Sequence, residues 1–134
     1  MVNEYSILKF VLDDKVIEID FKKSNVLSPT TTVLKYLRSL HGHKGVKEGC
    51  SVGDCGACTV VIGELHNDKI LYKAINSCLM FLPALHGKQL ITIENLTRRE
   101  GDEIVLHPVQ HHLLESKGTQ CGYCTPGILM SLFA

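Results

Sequence analysis

Six cysteines stand at positions 50, 55, 58, 78, 121 and 124. The first four form a set: C-x4-C-x2-C through Cys50, Cys55 and Cys58, then Cys78 after 19 intervening residues. That spacing suits a [2Fe–2S] cluster, in which four thiolates hold two irons bridged by two sulfides. With its thiolates the oxidised cluster carries a charge of about −2, which is prohibitive to bury without compensation. The surrounding loop must therefore wrap closely and aim backbone N–H groups at sulfur. Gly49, Gly53 and Gly56 give it the small, permissive positions this needs. Cys78 would arrive from another part of the fold to complete the second iron. The product would be a one-electron carrier whose potential is tuned by hydrogen bonding and burial.

The second group, Gln120-Cys121-Gly122-Tyr123-Cys124-Thr125-Pro126-Gly127, contains a C-x2-C pair. By itself this pair suits a redox dithiol, half of a zinc site, or half of another iron–sulfur site. Grouping Cys55 and Cys58 with Cys121 and Cys124 would make a structural zinc site, at the expense of stranding Cys50 and Cys78. A disulfide framework suits a secreted chain, but Met1-Val2-Asn3-Glu4-Tyr5 has neither the basic nor the apolar region of an export signal. The expected location is the cytoplasm.

The elements that must position these cysteines follow from periodicity. Tyr5–Leu12 and Val16–Asp20 alternate and predict a β-hairpin about Asp13-Asp14-Lys15. Ser28-Pro29-Thr30-Thr31 signals a helix start, with Val33, Leu34 and Leu37 at helical spacing and Leu40-His41-Gly42 as the stop. Thr59–Ile62 and Ile70–Ile75 predict strands joined at Glu64–Asp68, and Leu90–Ile93 a fifth. A short apolar element after Cys78 is broken at Pro83. The fold class is α+β: a mixed sheet covered by one helix over residues 1–96. Composition shifts near residue 97. Thr97–Glu103 reads as a charged linker, His107–Lys117 as a helix with Val109, Leu113 and Leu114 on one face, Thr119–Pro126 as a turn, and Gly127–Ala134 as a further helix. A second unit thus occupies 97–134.

Composition excludes several function classes. Lys plus Arg and Asp plus Glu are 14 each, and the two halves of the chain balance separately, so no basic face is available for nucleic acid. The longest apolar runs, Cys78–Leu85 and the neighbourhood of Ile128–Met130, fall far short of the roughly 20 residues that span a bilayer. His107 and His111 are four apart, but no third metal ligand is evident beside them. Lys44 and Lys47 flank the cysteine loop and could offset its charge, although solvated lysines are the commoner case. No nucleophile–base set and no phosphate-binding loop emerges.

Four blocks in fixed order carry a resemblance. They are Glu48-Gly49-Cys50 through Gly53-Asp54-Cys55-Gly56-Ala57-Cys58-Thr59-Val60, then Asn76-Ser77-Cys78-Leu79, then His107-Pro108-Val109-Gln110, then Gln120–Gly127. Together they resemble the iron–sulfur region of the molybdenum hydroxylases, such as xanthine dehydrogenase and aldehyde oxidase. The stretch 74–88 most resembles the small subunit of bacterial xanthine dehydrogenase. The resemblance implies a ferredoxin-like β-grasp domain in which Cys50, Cys55, Cys58 and Cys78 hold one [2Fe–2S] cluster. It also implies the start of an all-α domain in which Cys121 and Cys124 supply half the ligands of a second. Gln120 would lie beside the molybdopterin of a partner domain or chain. Electrons would pass from molybdenum through the two clusters to FAD on another partner, with no catalytic site in this chain.

One departure from the family pattern matters. The family completes its second cluster with a C-x-C pair further along, whereas ten residues follow Cys124 here and none is Cys. The chain therefore reads as a truncated gene product or fragment, with Ile128, Leu129, Met130, Leu132 and Phe133 unpaired by missing bundle helices. The alternative readings are a stand-alone ferredoxin-like carrier, in which the second pair is vestigial, and an inactive truncated product.

Overall fold

The computed structural model describes residues 6–134. The readings made on Met1–Tyr5, including the first residue of the predicted opening strand, lie outside them.

Strands β1 (Ile7–Leu12) and β2 (Lys15–Asp20) pair antiparallel, from Ile7 opposite Asp20 to Leu12 opposite Lys15. Their link is the two-residue turn Asp13-Asp14, with Asp13 at φ +56°, a left-handed conformation that Asp tolerates through local hydrogen bonding. Strands β3 (Thr59–His66) and β4 (Lys69–Asn76) are longer than the sequence suggests. Asn67 and Asp68 both adopt left-handed φ (+48° and +61°), and this tight turn matches strand twist. The ladder therefore continues to His66 opposite Lys69, where the sequence predicted a loop from Glu64. Strand β5 (Gln89–Ile91) lies between β1, to which it is parallel, and β3, to which it is antiparallel. The order is β2-β1-β5-β3-β4, a mixed β-grasp sheet.

Helix α1 (Val33–Ser39) starts one hydroxyl later than expected. Ser28 and Thr31 close their own turn, with Ser28 N donating to Thr31 Oγ1 (3.0 Å), and Thr32 instead caps the helix by accepting from Lys35 N. The helix stops at Leu40 in extended backbone, before Gly42 is reached. Val33, Leu34 and Leu37 bury against Leu8, Phe10, Val60, Ile62 and Leu90.

The expectation of a sheet covered by one helix needs correction. Val61 and Ile91 point to the opposite face from Val60, Ile62 and Leu90, and they are equally apolar and buried. A strand segment buried on both faces needs two layers of cover. Helix α3 (Thr125–Phe133) supplies the second, seating Met130 on Val61, Ile91 and Leu96. The last helix is therefore not left unpaired. Leu129 and Met130 are buried, and the Phe133 ring lies against Tyr72 and His107 at centroid separations of 6.1 and 5.2 Å. Ile128 and Leu132 stay exposed.

The supposed linker is also structured. Arg98–Glu100 (β6) and Glu103–Val105 (β7) pair as a small exposed hairpin, with Gly101 in the turn at φ +64°. Helix α2 (Pro108–Glu115) is capped by a reciprocal pair, His107 and Gln110, and Gln110 Nε2 also donates to Thr97 Oγ1 (3.0 Å). It ends earlier than expected in a Schellman closure: Lys117 is left-handed (φ +52°), with Lys117 N to Leu114 O and Gly118 N to Leu113 O. Leu114, expected on its apolar face, is exposed. Among the described residues no helix is long and apolar enough to cross a membrane.

Two expectations follow for stability. Met130→Ala removes the side chain that seats α3 and should cost about 2–5 kcal/mol, read from denaturant unfolding. Glu64 on β3 bonds Lys73 and Lys88, and these ammoniums hold its carboxyl down to about 2 from an ordinary 4.5. A depressed carboxyl contributes stability that is complete above its unfolded value and is lost as pH falls through its folded one. Melting temperature measured from pH 5 to pH 2, the window set by those two values, should fall less steeply in Glu64→Gln than in the parent chain.

Candidate metal centre

Residues 45–58 connect α1 to β3 and carry three of the cysteines. The loop is pinned at its start: Gly45 N donates to Glu94 Oε1 (2.7 Å) and Arg38 Nη1 to Val46 O (2.8 Å). Cys58 immediately precedes β3, and Cys78 follows the end of β4 at Asn76 by two residues, with Ser77 between. Because Thr59 pairs with Asn76, the β3–β4 register brings the two cysteines together, and both are buried. The buried Ser77 locks this junction by donating its hydroxyl to Cys58 O (2.6 Å). Asn76 Nδ2 donates to Gly53 O (2.8 Å), tying the strand end to the middle of the loop.

The loop then curls around its own sulfurs. Cys50 Sγ accepts from the backbone N–H groups of Val52 (3.4 Å), Asp54 (3.3 Å) and Cys55 (3.3 Å), and Cys55 Sγ accepts from Cys50 N (3.4 Å). Two glycines make this path possible. A Cβ on Gly49 would lie 2.8 Å from Cys55 Sγ, and one on Gly53, at φ +79°, would strike Leu79.

The electrostatics divide the four thiols. Hydrogen bonds from the N–H groups of Val52, Cys55 and Asp54 bring Cys50 down to about 6. Burial first, and then the neighbouring Cys58 thiol, push Cys78 up to about 11. The donor set suits a cationic metal core. Backbone dipoles are already aimed at Cys50, and a positive centre beside Cys78 would offset the burial that disfavours its thiolate. Of the four predicted ligands, Cys50 and Cys55 share the loop's backbone N–H groups, and Cys58 and Cys78 lie at the paired ends of β3 and β4.

The second pair is placed differently. Cys121 lies in an exposed bend and Cys124 at the exposed N-cap of α3. Cys124 and Cys55 line the same cavity of about 300 Å³, with Gly56, Gly127, Ile128 and Ser131. Of the zinc grouping of Cys55 and Cys58 with Cys121 and Cys124, Cys58 is buried and the other three are exposed. Gln120 is exposed on the bend before Cys121. Lys44 and Lys47 turn back onto the carbonyls of Arg38 and Lys44. His107 caps α2 through Nδ1, while His111 and His112 both meet Glu115 on its exposed face. Sequence reasoning assigned no role to Asn76, Ser77 or Tyr123, whose hydroxyl donates to Glu48 O beside the loop. Their signal was only that they sit within the quoted blocks.

Comparison with known proteins agrees with this geometry. Residues 17–82 match the family described as 2Fe-2S iron-sulfur cluster binding domain, and residues 92–134 that described as [2Fe-2S] binding domain. Xanthine dehydrogenase of Blastobotrys adeninivorans is 45% identical over 108 residues, 79% of this chain and 7% of that protein. Xanthine dehydrogenase/oxidase of Gallus gallus is 42% identical over 126 residues, 92% of this chain and 9% of that protein. The chain belongs to the iron–sulfur domains of the xanthine dehydrogenase and molybdenum hydroxylase family. It spans less than a tenth of the length of these curated relatives. Its fold matches quinoline 2-oxidoreductase from Pseudomonas putida 86 (TM-score 0.68, 25% identity, covering 92% of this chain and 65% of that one). It also matches the aldehyde oxidoreductase from Desulfovibrio desulfuricans (TM-score 0.70, 25% identity, covering 93% of this chain and 12% of that one). The two tandem iron–sulfur binding domains match the electron-transfer module of that family.

The thiol environments predict an order of reactivity in the metal-free chain. Alkylation of Cys50, followed by peptide mass spectrometry across pH, should rise with a midpoint near 6, whereas Cys78 should stay unmodified until about 11.

Proposed function

We propose that Cys50, Cys55, Cys58 and Cys78 hold a [2Fe–2S] cluster in a β-grasp domain of residues 1–96. Cys121 and Cys124 then supply two ligands of a second cluster in a helical unit of residues 97–134. The reading is supported above all by the three backbone N–H groups directed at Cys50 Sγ and by the β3–β4 register that sets Cys58 beside Cys78. When bound, such a cluster takes up and releases one electron at a time. The chain's own part is to hold the thiolates, stabilise their charge with the N–H groups of Val52, Asp54 and Cys55, and shield Cys58 and Cys78 from water. On this reading the chain relays electrons from a molybdopterin-bearing partner toward an FAD-bearing one. Gln120 faces the molybdopterin, and the chain itself carries no substrate turnover. The exposure of Gln120, Cys121 and Cys124 on one segment supports a partner-facing edge there. Six free thiols suit a reducing cytoplasm.

Anaerobic reconstitution should load about two irons and two acid-labile sulfides into the four-thiol site. Cys55→Ser should abolish the visible spectrum of that cluster, and Cys124→Ser should leave it intact. A colourless, iron-free or zinc-only product would refute the assignment. Co-purification with separately expressed molybdopterin and flavin chains would separate the relay from a stand-alone carrier.

A further inference from the structure

The cysteine loop leans on a segment far away in sequence. Tyr123 donates its hydroxyl to the carbonyl of Glu48, two residues before Cys50. Four residues on, the buried Gly127 presses against Gly56, the residue after Cys55. A Cβ on Gly127 would collide with the Gly56 carbonyl oxygen and stand 3.1 Å from its carbon and 3.3 Å from Ala57 Cα. That carbonyl is not free to yield. Gly56 is left-handed (φ +71°), and its oxygen already accepts from Thr59 N (3.1 Å) and Thr59 Oγ1 (2.7 Å). From below, α3 is held by Met130 on the sheet. The two contacts thus fall on either side of Cys50 and Cys55, and both come from the stretch that flanks Cys124.

We propose that Tyr123 and Gly127 are positioning residues that clamp the α3 segment onto both ends of the cysteine loop. Through this clamp α3 helps set the geometry around a cluster held by Cys50 and Cys55. The inference rests on the electron-carrier reading above and adds what that reading does not contain: the second cysteine segment shapes the first site. The physical route is short. The N–H groups of Asp54 and Cys55 bond Cys50, and the Gly56 carbonyl immediately follows them, so displacing it re-aims the dipoles that fix the potential of an iron–sulfur centre. Tyr123 acts at the other end, holding the Glu48 carbonyl while the next peptides turn toward Cys50.

The test uses the full chain with its cluster assembled anaerobically, comparing the parent with Tyr123→Phe, Gly127→Ala and Met130→Ala. Iron content, midpoint potential and the electron paramagnetic resonance of the reduced cluster are measured. The clamp predicts parent iron content with a shifted potential and altered resonance in both Tyr123→Phe and Gly127→Ala. Met130→Ala, which removes the sheet contact of α3 without touching the loop, should lower the melting temperature and shift the potential less than either clamp variant. Parent-like signals from either clamp variant at full iron content overturn the proposal, as does a shift in Met130→Ala as large as in Gly127→Ala. If Gly127→Ala takes up no iron, Tyr123→Phe decides. If the parent takes up no iron, the carrier reading fails instead. The clamp is then judged by amide exchange in the metal-free chain, where unchanged protection over residues 49–58 in Tyr123→Phe overturns it.

Discussion

Sulfur ligands that must share one small volume repel each other as thiolates, and each loses water on the way in. The loop of residues 45–58 answers with the partial positive charge on the N–H ends of its own peptides. Three of them converge on Cys50 Sγ, and a fourth, from Cys50 itself, meets Cys55 Sγ. Such convergence requires backbone where side chains would ordinarily be, which is why Gly49 abuts Cys55 and Gly53 turns left-handed beneath Leu79. The paired thiols Cys58 and Cys78 have less of this help. Burial and the neighbouring Cys58 thiol disfavour the charged form of Cys78, so the site is unbalanced until a cationic centre joins it.

A loop under such demands needs a rigid frame, and the sheet provides one. The β3–β4 register fixes Cys58 beside Cys78 to within a peptide. At the other end of the loop, Glu94 and Arg38 hold Gly45 and Val46. A buried network reinforces the frame: Asp13, in the β1–β2 turn, accepts from Thr92 N (2.8 Å) and Thr92 Oγ1 (3.1 Å) and bonds His43 Nε2 (2.9 Å). One carboxylate thereby joins the first hairpin, the end of β5 and the approach to the cysteines. Its buried hydrogen bonds carry the larger penalty if broken, because an orphaned carboxylate or N–H would have no water to turn to.

The C-terminal helices are as much part of this frame as the sheet. Apolar side chains on both faces of β3 and β5 call for two covering layers, α1 on one side and α3 on the other. The covering helix also carries the second cysteine pair, so packing that stabilises the sheet sets Cys124 at the rim of the cavity that Cys55 lines. A helix in this position links the two cysteine groups through contact rather than through the intervening chain.

Much of this was legible in the residues alone. The four-cysteine spacing, the interleaved glycines, the alternation in β1 and β2, and the α+β class all follow from local chemistry: ligand count, conformational freedom and periodicity are written into neighbouring residues. What the sequence could not decide was anything dependent on contacts between distant segments. The left-handed Asn67-Asp68 turn extended β3 and β4 because the twist of a paired ladder favours it, and the polar Arg98–Val105 stretch paired with itself despite its linker-like composition. Leu129, Met130 and Phe133 looked unpartnered because their partners, Val61, Ile91, Tyr72 and His107, are separated from them by tens of residues or by a turn of chain. Spacing thus determined which atoms could bind a metal, since ligand identity is a property of side chains. Only the tertiary structure determined how those atoms are charged, shielded and held, since dipole direction and burial arise when separate segments meet.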